Sequence, residues 1–189
     1  MSDGSTVLNE PPWVREVLDF WFSELQKVDW WAKNASTDAT IRERFLTLHE
    51  RLIADDGAEI NQCGSLLAAV IVLDQFSRHL FRDSPRAYAS DPLARRLARQ
   101  AIARGCDSRM RDDERMFLYL PFEHSEDRGD QSLAVELFER LGHESWTRDA
   151  LAHKSLIDRF GRFPHRNAVL GRKSTPDEIA ALAEPGGSF

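Results

Sequence analysis

The sequence has little cysteine, no long apolar run and no surplus of positive charge, and each shortage closes off a class of protein. Only Cys63 and Cys106 occur in 189 residues. They have no CxxC spacing and no third thiol, so neither a disulfide framework nor a thiolate metal site is indicated, and a reducing cytoplasm fits. The longest wholly apolar run, Leu66 to Leu73, is eight residues, far short of the roughly 20 that span a bilayer, so no membrane partner is expected. A formal net charge of −6 lacks the basic surface that phosphate neutralisation requires, so no nucleic acid partner is expected either. The start, MSDGSTVLNEPP, has neither the basic nor the apolar region of a signal peptide. It reads as a flexible tail over residues 1–12, leaving 13–189 as a single all-helical domain.

What is present is the balance of a globular chain. Apolar residues make up 42% and charged residues 30% with the signs interspersed, and the length is enough to bury a core without metal or disulfide staples. Helical spacing recurs throughout. Trp13, Val17, Phe20, Trp21 and Leu25 follow Pro11 and Pro12 and predict an amphipathic helix with an aromatic buried side. Ile41, Phe45, Leu48 and Leu52 predict a second, with Ser36 and Thr37 as cap candidates and a stop near Gly57. The stretch from Asn61 to Phe81 is apolar nearly all round through Leu73. It is either an enclosed helix or a buried strand, and its length, with Leu73, Phe76 and Leu80 at helical spacing, favours the helix.

Asp91 and Pro92 read as the N-cap and first turn of a helix running to Gly105. Asp112 to Glu114 open another, which Pro121 is expected to kink or end just before the polar group Glu123 to Asp127. Leu133, Leu137 and Leu141 mark a helix stopping at Gly142, and Trp146, Ala150, Ile157 and Phe160 mark one stopping at Gly161. Thr175, Pro176 and Glu178 form a capping box for a last short helix. The alternation and Asn-Gly turns of hairpins are missing. The fold class is therefore all-α, with about seven or eight helices packed as antiparallel hairpins.

Three segments are polar against their own apolar context. Asp74, Arg78 and Arg82 appear at i, i+4 and i+8 on one face of the apolar helix, with Gln75 beside them. His124, Ser125 and Glu126 follow Pro121, where a helix end can turn side chains into a cavity. The segment His153 to Arg172 holds Lys154, Arg159, Arg162, Arg166 and Arg172 against one acid, Asp158, with His165 and Asn167 as further hydrogen-bonding groups. Arginine forks bind carboxylate or phosphate through two parallel hydrogen bonds, so a basic segment on an acidic chain is a plausible anion receptor. The competing reading is that these arginines pair with acids elsewhere and knit the C-terminal part onto the bundle. HExxH, paired CxxC, glycine-rich phosphate loops and a repeated Glu-x-x-His pattern are absent, so no metal and no cofactor is assigned. Trp30 and Trp31, together in a predicted loop, are candidate rim residues, while the other aromatics read as core.

DFWF at Asp19 to Phe22, LDQFSRHLFR at Leu73 to Arg82, YLPFEHSED at Tyr119 to Asp127, RFGRFPHRNAVLGR at Arg159 to Arg172 and the closing GGSF at Gly186 to Phe189 resemble the bacterial family called domain of unknown function 924. The resemblance implies a tetratricopeptide-like helical fold with no established activity. It carries the family's polar motif onto Asp74, Gln75, Arg78, Arg82, His124, Ser125, Glu126, Arg159, Arg162, His165, Arg166, Asn167 and Arg172. Ser77 and His79 stand where that motif has proline and asparagine, and Lys173 where it has an acid. Three functions stay open: a pocket for a small anionic ligand, with or without catalysis, a groove for a peptide, or a purely structural polar cluster.

Overall fold

The computed structural model describes residues 10–184. The expected tail over 1–12 therefore falls mostly outside them, as does the closing GGSF, while Pro12 already belongs to a helix. Among the described residues eight helices carry the fold and there is no strand. Helix α1 is Pro12–Asp19, continued by a wider π turn Phe20–Glu24. Helix α2 is Ala35–Ala54. Helix α3 runs continuously over 63–80, as Cys63–Val70, a π-helical stretch Ile71–Phe76, and Ser77–Leu80. A single turn, Arg86–Ala89, precedes α4, Asp91–Ala103. Then come α5, Asp112–Glu123, α6, Arg128–Leu141, α7, Glu144–Phe160, and α8, Pro176–Leu182.

The helix reading of the apolar stretch is correct, and the reason it is apolar all round is its position. Helix α3 is the central rod, packed by α1, α2, α4 and α5, and every residue from Leu66 to Leu73 is buried. Burying each Leu, Ile or Val side chain there is worth about 1.5–3 kcal/mol relative to exposure. Phe76 completes the seam, with ring centroids 4.8 Å from Phe45 and 5.5 Å from Trp21. Helices α5, α6 and α7 then follow one another through short turns, each packing on the next.

Several local expectations hold. Gly142 and Gly161 adopt positive φ, 81° and 71°, and stop α6 and α7 as left-handed caps. Thr175 and Glu178 form the reciprocal capping box that starts α8, at 3.2 and 2.7 Å. Others need correction. Asn34, not Ser36 or Thr37, caps α2, its side chain accepting from Ser36 N at 2.9 Å. Pro121 does not end α5 before the polar group. The helix runs through it to Glu123: the proline forgoes the one bond its N–H would have given to Phe117 O, and the turn still closes, with His124 N donating to Leu120 O at 2.9 Å.

The largest correction concerns cysteine. Cys63 and Cys106 are joined in a disulfide, with Cα atoms 5.4 Å apart. The bond ties the first turn of α3 to the short 3-10 turn Cys106–Arg109 after α4. A separation of 43 residues hid this pairing, which only the antiparallel return of α4 along α3 brings about. Cysteine usage therefore no longer argues for a reducing compartment. Among the described residues no helix is long and apolar enough to cross a membrane.

Candidate functional site

The π-helical stretch of α3 sets the site. An i→i+5 turn is wider than an α turn and shifts the face that follows, and such turns recur at functional sites. Here it places Asp74 and Gln75, both buried, on the side of α3 that meets α5, and starts the run Arg78, His79, Arg82. The facing wall is the end of α5. Its last carbonyls lack intrahelical partners, and the buried amide of Gln131 supplies one, donating to Glu123 O at 2.6 Å and Ser125 O at 2.7 Å. That clamp holds the turn carrying Glu123 and His124.

Between these walls lies a cavity of about 810 Å³. Gln75, Arg78 and Arg82 line it from α3, Tyr88 from the single turn, Glu123 and His124 from the end of α5, His153 from α7, and His165 and Arg166 from the 3-10 turn Pro164–Arg166. The rest of its lining mixes apolar and aromatic residues, Trp30, Trp31, Met116, Leu120, Phe138 and Trp146 among them, with the polar Lys33, His79, Asp83, Ser145 and Asp149. The cavity thus gathers residues from all three polar segments.

Two imidazole–carboxylate pairs stand side by side. His124 Nδ1 lies 2.9 and 3.0 Å from the two oxygens of Asp74, and His153 Nδ1 lies 3.0 Å from Glu123 Oε1 and 2.9 Å from Asp149 O. The two rings are 6.2 Å apart. Burial pushes Asp74 up, but the Arg78 charge and the contact with His124 outweigh it and hold the carboxyl below the usual range. An ionised Asp74 makes His124 Nδ1 the donor, which leaves the lone pair on Nε2. Glu123 behaves in the opposite way: burial, with Asp149 and Asp74 nearby, pushes it up to about 8. Burial lowers His153 to about 3 and His165 to about 4, and it lowers His124 in spite of Asp74. Near pH 7 the imidazoles are therefore neutral and Glu123 is mostly protonated, so Glu123 and His153 meet as neutral hydrogen-bonding groups rather than as an ion pair.

The arginines divide sharply. Arg78 is consumed by the protein. It donates to both oxygens of Asp91 at 3.0 and 3.2 Å and reaches Asp74 Oδ1 at 3.3 Å. Arg82 donates to both oxygens of Asp38 on α2, at 2.9 and 2.7 Å. Arg166, only 6% exposed, differs from both. Its guanidinium stacks on Tyr88 at 4.5 Å and Phe163 at 4.6 Å, its buried Nε has no acceptor, and its one carboxylate contact among the described residues is Asp91, at 3.6 Å.

The remaining motif residues lie away from the cavity and form a latch. Arg172 donates to both oxygens of Glu126 at 2.7 and 2.9 Å, to Asn167 Oδ1 at 2.9 Å and to Phe163 O at 3.1 Å. Arg162 holds both oxygens of Glu178 at 2.6 and 2.9 Å, and Asn167 joins Glu178 at 3.2 Å, which seats α8. Ser125 donates to Asp130 at 2.7 Å as part of the cap of α6, and Arg159 is exposed over Phe160. Ser125, Glu126, Arg162, Asn167 and Arg172 are thus engaged by protein partners and are not among the residues that line the cavity.

Sequence reasoning missed Asp91, read as a helix cap, although its carboxylate joins Arg78 and Arg166. It missed Glu123 as a buried acid and Tyr88 as the platform under two guanidiniums, Arg78 at 5.6 Å and Arg166 at 4.5 Å. No spacing signal marks these residues, because their partners come from other elements. Of the two candidate rim tryptophans, both of which line the cavity, Trp30 belongs to the core, buried against Phe117 at 4.9 Å, while Trp31 stacks on the same ring at 5.9 Å and is 59% exposed. Among the described residues no group of three or more His, Cys, Asp and Glu side chains is arranged to hold a metal ion.

The comparisons with known proteins agree with this fold and add no chemistry. No curated protein matches the chain. A solved structure of a protein of unknown function from Agrobacterium tumefaciens is similar over 91% of this chain and 97% of its own, with 38% identity and a TM-score of 0.85. The model of the family described as bacterial protein of unknown function (DUF924) matches residues 17–186, and the chain belongs to that family.

Proposed function

We propose that the cavity binds a small anionic ligand. The observation that carries this reading is Arg166: a guanidinium almost wholly removed from water, its Nε without an acceptor, facing a cavity large enough for an organic molecule. Burying a polar group without a partner costs roughly 1–3 kcal/mol, more when it is charged, and an anion in the cavity would give the guanidinium a closer partner than Asp91, which lies at 3.6 Å. The neutral imidazoles of His124, His153 and His165 and the protonated Glu123 offer further hydrogen bonds. The two imidazole–carboxylate pairs also give the cavity groups that can move a proton, so the ligand could be a substrate.

A thermal-shift screen of carboxylated and phosphorylated metabolites tests the reading. A ligand present at about a hundred times its Kd stabilises the fold by about 2.7 kcal/mol, and Arg166→Gln should abolish the shift. A screen without hits, or hits indifferent to Arg166, would count against it. NMR of any hit after incubation separates a bound effector from a substrate.

A further inference from the structure

We propose that the anion is a monocarboxylate carried on a flat apolar body, with its carboxylate on Arg166 and its body along the tryptophan rim. This deepens the anion-binding reading and rests on it.

The headgroup follows from the distribution of charge. Arg82 is neutralised by Asp38. Deeper in, two guanidiniums, Arg78 and Arg166, face two carboxylates, Asp74 and Asp91. The cavity therefore has no surplus of positive charge for a phosphate dianion, which would also meet Asp91 beside Arg166. The exposed charges at the mouth, Lys33, Asp83 and Asp149, are solvated and of mixed sign. Of the lining arginines, Arg166 is the one without a carboxylate in hydrogen-bonding range among the described residues, and its planar fork matches a carboxylate edge with two parallel donors.

The body follows from the rest of the lining. A volume of about 810 Å³ is far larger than a bare ion needs and falls in the range of organic-ligand sites. Besides the arginines it is lined by Trp30, Trp31, Met116, Leu120 and Trp146. Trp31 rests one face on Phe117 while more than half of its surface stays open at the mouth. An exposed indole on an aromatic support is a stacking surface for a flat ligand.

Isothermal titration of the full chain with acetate, 3-phenylpropanoate, inorganic phosphate and 2-phenylethyl phosphate tests the proposal. 3-Phenylpropanoate should bind at least about tenfold more tightly than acetate and than either phosphate. Trp31→Ala, at an exposed position that folding does not need, should weaken 3-phenylpropanoate by roughly fivefold and leave acetate unchanged. Arg166→Lys, which keeps the charge but loses the fork, should weaken both carboxylates, and circular dichroism would verify its fold. Tighter binding of either phosphate, or equal binding of acetate and 3-phenylpropanoate, overturns the ligand class while leaving an anion site standing. Absence of binding by all four probes overturns the class and the anion reading together.

Discussion

His124 and Asp74 meet across 50 residues of chain, Nδ1 lying 2.9 Å from one carboxylate oxygen and 3.0 Å from the other. The contact joins the π-helical stretch of α3 to the end of α5, and Arg78 closes it from the other side at 3.3 Å. Asp74 is therefore the buried negative charge around which one wall of the cavity is assembled.

Replacing Asp74 by Asn should be costly. Arg78 loses one of its two carboxylates and keeps Asp91, and His124 loses an ionised acceptor. Breaking a buried charge pair from one side costs about 3–5 kcal/mol, and urea unfolding should register a loss of that order. A loss below about 1 kcal/mol would show that the pair is better solvated than its burial indicates.

The latch and the cavity should separate by mutation. Arg172→Ala removes the partner of Glu126 and should lower stability by about 2 kcal/mol, while the variant keeps its response to anions in the thermal-shift assay. Arg159→Ala, at an exposed position, should fall within about 0.5 kcal/mol of the parent. Loss of anion binding in Arg172→Ala at a temperature where it is folded would mean that the two clusters are coupled.

That separation marks how far the sequence could be read. Helix number, the stops at Gly142 and Gly161 and the capping box at Thr175 were legible, because each depends on neighbours in the chain. The three polar segments were legible as anomalies. Which of their arginines stay open was not, since Arg162 and Arg166 look alike in sequence and differ only in whether a distant acid, Glu178 for one, reaches them. Asp91 and the disulfide were missed for the same reason, each being defined by a partner brought in by tertiary packing.

Stability should peak near pH 6.5. His153 and His165 are lowered to about 3 and about 4 by burial, so the folded state resists their protonation. The stability they contribute is complete above their unfolded pKa of about 6.5 and is lost as pH falls below it. Glu123 is raised to about 8, so the folded state holds its proton longer than the unfolded chain does. That stabilisation is complete below an unfolded pKa of about 4.3 and is lost as pH climbs through 8. Between pH 6.5 and 8 the fall should be on the order of 2 kcal/mol. Glu123→Gln should remove the alkaline fall and leave the acid one, as read by denaturation at a series of pH values. A parent profile flat from pH 6.5 to 8.5 would contradict the assignment.

The disulfide should be complete in protein purified without reductant. Thiol titration under denaturing conditions should find no free cysteine before reduction and two after it. Closing a loop of 43 residues stabilises by about 3–4 kcal/mol in the chain-entropy description, so reduction should lower the melting temperature by several degrees. Two titratable thiols in the untreated protein would refute the bond.

The π-helical stretch of α3 has one further consequence. A turn closed from i to i+5 holds one residue more than an α-helical turn, so the polar half of α3 is set off from the apolar half by a single inserted residue. Deleting one residue from Ile71–Phe76 would let the wide turn give up its extra residue and close as ordinary α turns, so that Arg78 keeps Asp91 and Arg82 keeps Asp38. The same deletion in a regular α stretch such as Ala35–Ala54 would instead turn everything downstream by about 100°. The π-helical stretch is in this sense a place where the rod can absorb a change of length without moving the polar face of the cavity.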